Sequence, residues 1–575
     1  MTEHALTVEL EDRVIAELTT SSKQIAIDFA DEYRADYSAT PLSVSMPRNR
    51  RHHVDTTPSA WLWGLLPDNE DVLRRWVADY GASLASPASF LATEIGLDCA
   101  GAVRFYPTRS DTSVARDSGV RTLTLDDVAN RLEDLDRDAT RWLDGQTAGQ
   151  FSLAGAQAKL ALRCDGPNDQ WGHPYGSEPS THILKPAIPD FAYQHVNEHL
   201  CLTAAANLGL SAAATDIVSF GSHEVLKVER FDRYRDQAGQ WRRIHQEDMC
   251  QALGVHPAQK YENDGGPTAS NIAELITTAT GRSVAERETK RFTDALIFNW
   301  IIAGTDAHAK NYGLLHSGSQ TRVAPLYDIS SFLPYDDSKG HKVKLAMKIG
   351  GEYKIKQIGH KAWTRFAEEI GLDESIVLDR CEELATNAPR AFAVAAGVTT
   401  APGPMPEQLT DLVTRAAQDR LDSLIRGHTA MPQTPAKFAL DLADAIPFDD
   451  LPHADTLSVR LQLLVEPPGE ADYFYYQFIV ARWPRSTLEH HPDKDEPTFW
   501  NRVASTATAA AREWLRSDQP GRSPNVVDAV VLPMTNVRDE PGSSQAKTFT
   551  AGERVDEWED PADLIRRADA ELRRI

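Results

Sequence analysis

Two polar segments rich in proline and glycine interrupt the second half of the chain, GVTTAPGPMPEQ at residues 397–408 and RGHTAMPQTPAK at residues 426–437. Neither can continue a helix or a strand, because proline lacks a backbone donor and glycine favours turns. A chain of 575 residues is also too long for one hydrophobic core. A third boundary follows the charged segment 126–145, which predicts a helix that stops at Gly145. We therefore predict three domains, at residues 1–145, 146–427 and 436–575.

The chain is strongly acidic, with 60 Lys and Arg residues against 84 Asp and Glu residues and a net charge of −24. Such a surface repels phosphate backbones, so direct non-specific binding to nucleic acid is not expected. Solubility alone would also explain this charge. The charge therefore excludes one class of function without indicating another.

Several patterns bear on the compartment. We find no apolar run of the roughly 18 residues that a transmembrane helix needs, and the start MTEHALTVELEDR lacks the features of a signal peptide. The five cysteines are scattered, with neither a CxxC pair nor a zinc-binding spacing. We expect a cytoplasmic protein with reduced thiols, no membrane partner and no metal held by sulfur.

The segment DALIFNWIIA predicts a buried helix, because four apolar residues fall at helical spacing: Phe292, Leu296, Trp300 and Ala303. The loop GTDAHAKNYG then brings together an acid, an imidazole, an ammonium and an amide: Asp306, His308, Lys310 and Asn311. Protein kinases show the same Asp-to-Asn interval in their catalytic loop, where the Asp accepts the hydroxyl proton and the Asn holds Mg²⁺. A capped turn would explain these residues as well, and the spacing alone favours that alternative.

A second acid follows this loop. The run VAPLYD predicts a short apolar strand that ends at Asp328, where a carboxylate could bind Mg²⁺ together with Asn311. Alternatively, Asp328 could be the N-cap of the segment ISSF.

A lysine–glutamate pair is predicted upstream. THILKPAI reads as a strand that contains Lys185, and YQHVNEHLCLTAAANLGL reads as a helix with Glu198 in its first turns. Kinases pair a strand lysine with a helix glutamate so that the lysine can hold nucleotide phosphates. An ordinary surface ion pair is the alternative.

Two further segments complete the series. In FSLAGAQAKLALR, Gly155 between Ala154 and Ala156 permits close approach of a ligand, and a turn before the strand KLALR could cradle phosphate. A strand at 224–230 could supply the linker that meets adenine, at Val228, Glu229, Arg230 and Phe231. The order of all these features is that of a protein kinase.

The middle region resembles the HipA family of serine/threonine kinases, the toxins of bacterial toxin–antitoxin modules. The resemblance is carried by SLAGAQAKLAL, HILKP, NEHLCLTAAANLGL, VERFDR, HQEDMCQALG, KYENDGGPT, GTDAHAKNYGLL and LYDISSF, in the family's order. LLPDN and DCAGAVRFYP, before residue 108, resemble the family's N-terminal subdomain. The resemblance covers residues 60–427 and matches poorly over the first 50 residues.

The resemblance implies an α+β fold: a two-lobed, protein-kinase-like core with an N-terminal α+β subdomain. It implies ATP and Mg²⁺ as cofactors and Asp306 as the catalytic base, with His308 orienting the loop and Lys310 neutralising γ-phosphate charge. The metal would be held by Asn311 and Asp328. The nucleotide site would comprise Ala154, Gly155, Ala156, Gln157, Ala158, Lys159, Lys185, Glu198, Val228, Glu229, Arg230, Phe231, Gln246 and Glu247.

The resemblance also implies regulation and partners. Ser152 matches the serine that members of the family autophosphorylate, and the added charge would expel the loop 152–158 from the ATP phosphates. The implied partners are a helix-turn-helix antitoxin, through which DNA would be bound indirectly, and a protein substrate such as glutamyl-tRNA synthetase. Phosphorylation of such a substrate would arrest growth.

Two alternatives and one region remain open. The chain could be a pseudokinase that binds nucleotide or antitoxin without phosphotransfer, or a kinase of small molecules or lipids with a related fold. Residues 436–575 read as β-β-α-β with a helical tail, an additional α+β domain of unknown role. This pattern does not suggest a fused helix-turn-helix antitoxin.

Overall fold

The computed structural model describes residues 4–21, 24–108, 118–141, 157–166, 170–188, 191–281, 284–336 and 343–426, together with the backbone of three strands further along the chain. The chain divides into two compact units, Met1–Ala430 and Met431–Ile575. In the described ranges, no helix combines the length and the apolar character that crossing a membrane requires.

A five-stranded antiparallel sheet begins the first unit, in the order β4-β3-β2-β1-β5. Its strands are β1 His4–Leu10, β2 Arg13–Thr20, β3 Ile25–Phe29, β4 His52–Val54 and β5 Val103–Pro107. Four helices accompany them: α1 Asp31–Ala35, α2 Thr56–Gly64, α3 Glu70–Tyr80 and α4 Pro87–Leu91. Asn69 caps the start of helix α3, and the left-handed Gly81 ends it.

A six-stranded antiparallel sheet follows, in the order β10-β11-β9-β7-β8-β6. Its strands are β6 Gly119–Thr122, β7 Leu160–Asp165, β8 Gln170–Tyr175, β9 His182–Pro186, β10 Thr215–Phe220 and β11 His223–Glu229. Two helices belong to this part, α5 Leu125–Arg137 and α6 Gln194–Asn207. The predicted strands KLALR, THILKPAI and 224–230 correspond to β7, β9 and β11, and the predicted helix around Glu198 is α6.

The prediction that the helix after residue 126 extends to Gly145 is wrong, because α5 ends at Arg137. The next residue, Asp138, is extended, and its carboxylate accepts hydrogen bonds from Thr140 N (3.0 Å) and Thr140 Oγ1 (2.6 Å). Such local side-chain bonds compete with continuation of a helix. Residues 142–150 lie outside the described ranges.

The rest of the first unit is mainly helical. Its helices are α7 Met249–Leu253, α8 Ala269–Ala279, α9 Ala285–Ile302, α10 His360–Ile370, α11 Glu374–Val398 and α12 Met405–Arg426. Short antiparallel strands lie between them: β12 Arg233–Arg235, β13 Trp241–Arg243, β14 His245–Asp248, β15 Gly313–Ser317, β16 Gln320–Val323, β17 Lys344–Ile349 and β18 Glu352–Lys354. The break predicted at 397–408 is shorter in the structure, where residues 399–404 separate α11 from α12.

Two hydrophobic clusters form the interior of this unit. One is centred on the helical lobe and includes Phe292, Leu296 and Trp300 of α9, all buried as the spacing predicts. The other joins the N-terminal sheet to the six-stranded sheet, since Leu6 and Leu184 belong to the same cluster. The N-terminal sheet and the strand that carries Lys185 therefore share one core.

Polar contacts also connect the N-terminal region to the kinase-like core. The Glu247 carboxylate accepts hydrogen bonds from Ser43 Oγ (2.6 Å) and Val44 N (2.8 Å). Gly101 N donates to Asp232 Oδ2 at 2.7 Å, and a Cβ at Gly101 would lie 2.6 Å from Gln246 N. The close approach at this junction thus requires glycine.

In the second unit, the described backbone forms an antiparallel sheet in the order β20-β19-β21. The strands are β19 Thr456–Glu466, β20 Phe474–Pro484 and β21 Asn525–Thr535. They confirm the three strands predicted there. The helices predicted at 497–517 and 560–575 lie outside the described residues.

Candidate active site

A cavity of about 660 Å³ is lined by residues of β9, α6, β11, the loop after α9 and the segment around Asp328. The predicted site residues that fall in the described ranges all line it: Gln157, Ala158, Lys159, Lys185, Glu198, Val228, Glu229, Arg230, Phe231, Gln246, Glu247, Asp306, His308, Lys310, Asn311 and Asp328. Ser152, Ala154, Gly155 and Ala156 lie outside the described residues. The cavity thus brings together segments that are far apart in the sequence.

Lys185 is the centre of an ion-pair network. Its Nζ lies 2.7 Å from Glu198 Oε1 and 2.7 Å from Asp328 Oδ1. The Lys185 and Glu198 side chains are only 8% and 1% exposed, so this is a desolvated pair and not a surface one. The alternative of an ordinary surface ion pair is therefore wrong.

The pKa values in this network follow from burial and charge. Burial opposes the charge of Lys185, but the carboxylates of Asp328 and Glu198 outweigh it and raise the lysine pKa. Burial likewise tends to raise the pKa of Asp328, but Lys185 and then Lys159 lower it below its usual range. Burial raises the pKa of Glu198, whose Oε2 has no hydrogen-bond partner among the described residues. Asp328 is thus the carboxylate that is held ionised.

The catalytic-loop candidates follow the end of α9. Ala303 ends the helix in the left-handed conformation (φ 55°), and a Cβ at Gly304 would lie only 2.1 Å from Asn299 Oδ1. The Asp306 carbonyl accepts hydrogen bonds from His308 N (2.8 Å) and Asn311 Nδ2 (2.8 Å). The loop is therefore held from within, as a capped turn would be, and both Asp306 and Asn311 also line the cavity.

The segment before Asp328 differs from its prediction. The strand β16 ends at Val323, and after it only Leu326 makes an isolated bridge, to Ala212. Asp328 is not a strand end, and it caps no helix at ISSF, since the next helical turn begins at Leu333. Asp328 instead has a left-handed backbone (φ 56°), which an Asp tolerates better than most residues do. Apolar composition alone could not distinguish a strand from a buried irregular segment.

The linker residues contribute to the cavity unequally. The Arg230 guanidinium lies in a buried network with Asp232 (3.0 Å from Nε to Oδ1) and Ser180 (2.9 Å from Nη1 to Oγ), so its charge is already matched. Phe231 packs near Tyr327, with ring centroids 5.5 Å apart. Val228 and Phe231 are therefore the linker side chains suited to an aromatic base.

Gln246 and Glu247 also differ in what they can offer. The Gln246 amide donates a hydrogen bond to Asp232 Oδ2 at 3.2 Å. The Glu247 carboxylate is already hydrogen-bonded to Ser43, Val44 and His316. Glu247 thus supports the wall of the cavity and connects it to the N-terminal region.

Lys159 and His308 are buried titratable groups at the cavity. Burial and the neighbouring Lys185 lower the pKa of Lys159 to about 8. Burial lowers the pKa of His308 to about 4, so its imidazole is neutral at pH 7. A neutral His308 can help to orient the loop but cannot balance phosphate charge.

Three residues were not identified as site residues from the sequence: Asp68 and Lys260, which line the cavity, and Tyr261, which contacts Asp306. Asp68 pairs with both Lys260 Nζ (2.8 Å) and Lys310 Nζ, and the Tyr261 hydroxyl donates to Asp306 Oδ1 at 2.5 Å. Asp68 belongs to the motif LLPDN, and Lys260 and Tyr261 belong to the motif KYENDGGPT. Both motifs indicated the resemblance to the family, but neither indicated a role for these residues. Lys310 is therefore already paired, and its proposed contact with the γ-phosphate stays a prediction.

These features together define a class. An antiparallel sheet presents a lysine paired with a helix glutamate, and a helical lobe presents an Asp/Asn loop and a further Asp around one cavity. This is a two-lobed α+β fold of the protein-kinase type.

The comparisons with known proteins identify the family. The HipA N-terminal domain matches residues 6–106, and the HipA-like C-terminal domain matches residues 151–392. The putative kinase Y4mE of Sinorhizobium fredii is 34% identical over 396 residues, which cover 68% of this chain and 92% of that protein. The serine/threonine-protein kinase toxin HipA of Shewanella oneidensis is 30% identical over 407 residues, or 68% of this chain and 88% of that protein.

A solved structure agrees with these matches. HipA of Shewanella oneidensis, in a complex with HipB and operator DNA, superposes with a TM-score of 0.63 at 26% identity, covering 73% of this chain and 97% of that chain. The chain belongs to the HipA family of serine/threonine kinase toxins. The match begins at residue 6, so the expectation of a poor match over the first 50 residues is wrong. The sequence of these residues shows a strand pattern but no distinctive motif from which the family could have been identified.

Proposed function

We propose that this protein is an ATP- and Mg²⁺-dependent serine/threonine protein kinase, the toxin of a toxin–antitoxin module. The observation that carries the proposal is the position of Lys185 Nζ, 2.7 Å from both Glu198 and Asp328, in a cavity that Asp306 and Asn311 also line. A lysine between a helix glutamate and a metal-binding aspartate is the arrangement that phosphoryl transfer uses.

The residues present fit a nucleotide with Mg²⁺. Asp328 offers a carboxylate that is held ionised, and Asn311 uses its amide nitrogen on Asp306 O, which leaves its amide oxygen for a cation. Among the described residues, no cluster of three His, Cys, Asp or Glu side chains is arranged to hold a metal ion. Mg²⁺ characteristically binds through one or two carboxylates plus substrate phosphates, so this pair suits it.

Five residues that line the cavity have roles in the proposed reaction. Lys185 and Lys159 would bind the phosphates, and Asn311 and Asp328 would hold Mg²⁺, which supplies electrostatic stabilisation of the transferred group. Asp306 would accept the proton of the acceptor hydroxyl. Gly64, Asp68 and Ala100 of the N-terminal region also line the cavity and would limit access of water to the phosphates.

Acceptors and partners follow from the family. The expected acceptors are a protein target, with an aminoacyl-tRNA synthetase as the family expectation, and Ser152 of the chain itself. An antitoxin partner is supported by the Shewanella oneidensis complex of HipA, HipB and operator DNA. In this scheme the acidic chain contacts DNA only through the antitoxin.

Labelled ATP and Mg²⁺ with the purified full chain would test this proposal. We expect phosphate on protein, and a loss of about 10²–10⁴-fold in Asp306→Asn with nucleotide binding retained. The matched control is Asp411→Asn, an exposed aspartate on α12 that should change nothing. Undiminished transfer in Asp306→Asn would refute the assignment of the base, and bound ATP without any transfer in the wild type would favour the pseudokinase alternative.

The target can be sought separately. A phosphoproteome comparison between cells that express the wild type and cells that express Asp306→Asn should show sites that depend on Asp306. A phosphorylated small molecule or lipid without any phosphorylated protein would instead support the alternative of a small-molecule kinase.

A further inference from the structure

A phenol contacts the carboxylate that the proposed function makes the catalytic base. The Tyr261 hydroxyl donates a hydrogen bond to Asp306 Oδ1 at 2.5 Å. A kinase base accepts this same kind of bond from the acceptor hydroxyl before transfer. The Tyr261 oxygen therefore lies where an acceptor hydroxyl bound to Asp306 Oδ1 would lie, although Asp306 itself is exposed.

The backbone that carries Tyr261 is fixed. Ala309 N of the catalytic loop donates to Lys260 O at 3.2 Å, and Tyr261 O accepts from the N–H groups of Asp264 and Gly266, each at 3.0 Å. A Cβ at Gly266 would lie 2.7 Å from Tyr261 O, so the turn depends on glycine. Lys260 is also paired with Asp68 at 2.8 Å. The hydroxyl can therefore leave Asp306 only by rotation of the Tyr261 side chain, not by movement of the loop.

The ring of Tyr261 contacts two side chains at the edge of the site. The residue is half-buried, its ring meets the His308 ring edge-on, with centroids 4.9 Å apart at 86°, and Lys260 Nζ lies 5.6 Å from the centroid of the same ring. Rotation of a partly exposed ring does not require the hydrophobic core to open, and rotamer changes of exposed side chains are fast. A fixed backbone with a rotatable side chain is the geometry of a gate.

We propose that Tyr261 is a gate at the acceptor site: its hydroxyl occupies Oδ1 of Asp306, and a substrate Ser or Thr hydroxyl that uses this oxygen must displace it. The inference rests on the proposed function, because it takes Asp306 as the base. A hydrogen bond to a charged group is strong enough to limit the open state, in which the Tyr261 hydroxyl has left Asp306, to about one molecule in ten. The gate lowers acceptor access by that factor and leaves nucleotide affinity unchanged.

Two readouts test the gate with Tyr261→Phe in the full chain. The first needs no activity: carbodiimide with glycinamide labels accessible carboxylates, and peptide mapping follows Asp306. We expect faster labelling of Asp306 than in the wild type, by at most about tenfold, because the exposed carboxylate also reacts through its second oxygen. The matched control, Tyr234→Phe, removes the hydroxyl of an exposed tyrosine outside the cavity and should leave the rate unchanged.

The second readout uses water as the acceptor. With ATP and Mg²⁺, Tyr261→Phe should release inorganic phosphate about tenfold faster at an unchanged KM for ATP, because water can enter the freed position. A fall in turnover of the variant would mean that the hydroxyl positions the base. Phosphate found on Tyr261 of the wild type would make this residue an acceptor. Either result overturns the gate.

The outcomes separate the gate from the proposed function. Unchanged labelling of Asp306 together with normal phosphotransfer overturns the gate and leaves the kinase proposal standing. Faster labelling with ATP bound but no transfer in any variant overturns the proposed function, and the acceptor role of the gate with it. Faster labelling with faster phosphate release supports both.

Discussion

Replacing Asp68 by Asn should strongly lower the stability of the fold. Asp68 belongs to the N-terminal region of the chain and was not predicted to be a site residue. Its carboxylate pairs with Lys260 Nζ at 2.8 Å and with Lys310 Nζ. The side chains of Asp68, Lys260 and Lys310 are 14%, 17% and 3% exposed. The substitution preserves shape and removes the one negative charge that the two ammonium groups share.

The magnitude follows from burial. Removing one partner of a buried pair leaves an uncompensated charge and costs about 3–5 kcal/mol. Asp248 relieves part of this cost: burial raises its pKa to about 7, Lys310 lowers that pKa and Asp68 raises it. Without Asp68 the pKa of Asp248 falls, and its carboxylate ionises more fully near Lys310. We therefore expect the lower end, a loss of about 3 kcal/mol in the free energy of unfolding.

Urea denaturation of the full chain at pH 7, followed by tryptophan fluorescence, would measure this loss. The matched control is Asp31→Asn, an aspartate that is 66% exposed in its pairs with Arg34 and Arg51; it should cost at most about 1 kcal/mol. The double variant Asp68→Asn/Lys310→Met should recover much of the loss, since it leaves no unpaired charge at position 310. A cost below about 1 kcal/mol for Asp68→Asn would refute the view that the pair is desolvated.

The same pair predicts a pH dependence. Burial tends to raise the pKa of Asp68, but Lys310 and Lys260 together lower it below its usual value. A depressed pKa contributes stability that is fully present above the unfolded-state value of about 3.9 and is lost as the pH falls through the folded value. The difference between wild type and Asp68→Asn should therefore shrink below about pH 4, as Asp68 is protonated. It should also be smaller near pH 7 than at pH 5, because Asp248 ionises more fully in the variant.

Three further predictions concern the cavity. Lys159 has a pKa lowered to about 8, so it loses its charge between pH 7 and 9, and nucleotide affinity should weaken by about tenfold over this range. The affinity should stay more nearly constant in Lys159→Arg, and a fluorescent-nucleotide titration would measure both. Asp328→Asn should reduce phosphotransfer at least about 100-fold in a labelled-ATP assay, because a Mg²⁺ carboxylate is lost, whereas Lys185 keeps Glu198 as a partner. Gly304→Ala should cost about 1–3 kcal/mol in urea denaturation, because the added Cβ would lie 2.1 Å from Asn299 Oδ1; Gly397→Ala, where a Cβ meets nothing within 4 Å, should be neutral or stabilising.

The parts of the site that the sequence predicted are those set by local periodicity. Helical spacing located α9 and the loop after it, and a lysine in an apolar strand with a glutamate in the next helix predicted the Lys185–Glu198 pair. Both predictions depend on short segments in which neighbouring residues determine the local secondary structure. Such patterns survive folding because the elements keep their own hydrogen bonds.

The parts that the sequence did not predict depend on distant contacts or on competing local bonds. Asp68 lies 192 residues from Lys260 and 242 from Lys310, and no local pattern links them. The segment before Asp328 is apolar because it is buried, and burial does not require a strand. The helix α5 stops at Arg137 because the Asp138 side chain binds Thr140, a choice that helical periodicity cannot reveal.

The core shared by the N-terminal sheet and the six-stranded sheet governs how the chain can be divided. A fragment that starts at residue 151 would keep Leu160, Leu184 and Val225 but lose Leu6 and Trp61 from the same cluster. Such a fragment exposes apolar surface and should aggregate, although it begins where the HipA-like C-terminal domain begins. Two halves expressed together, however, should reassemble by burying that surface. The two parts should therefore be soluble only when they are made together, and not when they are made separately.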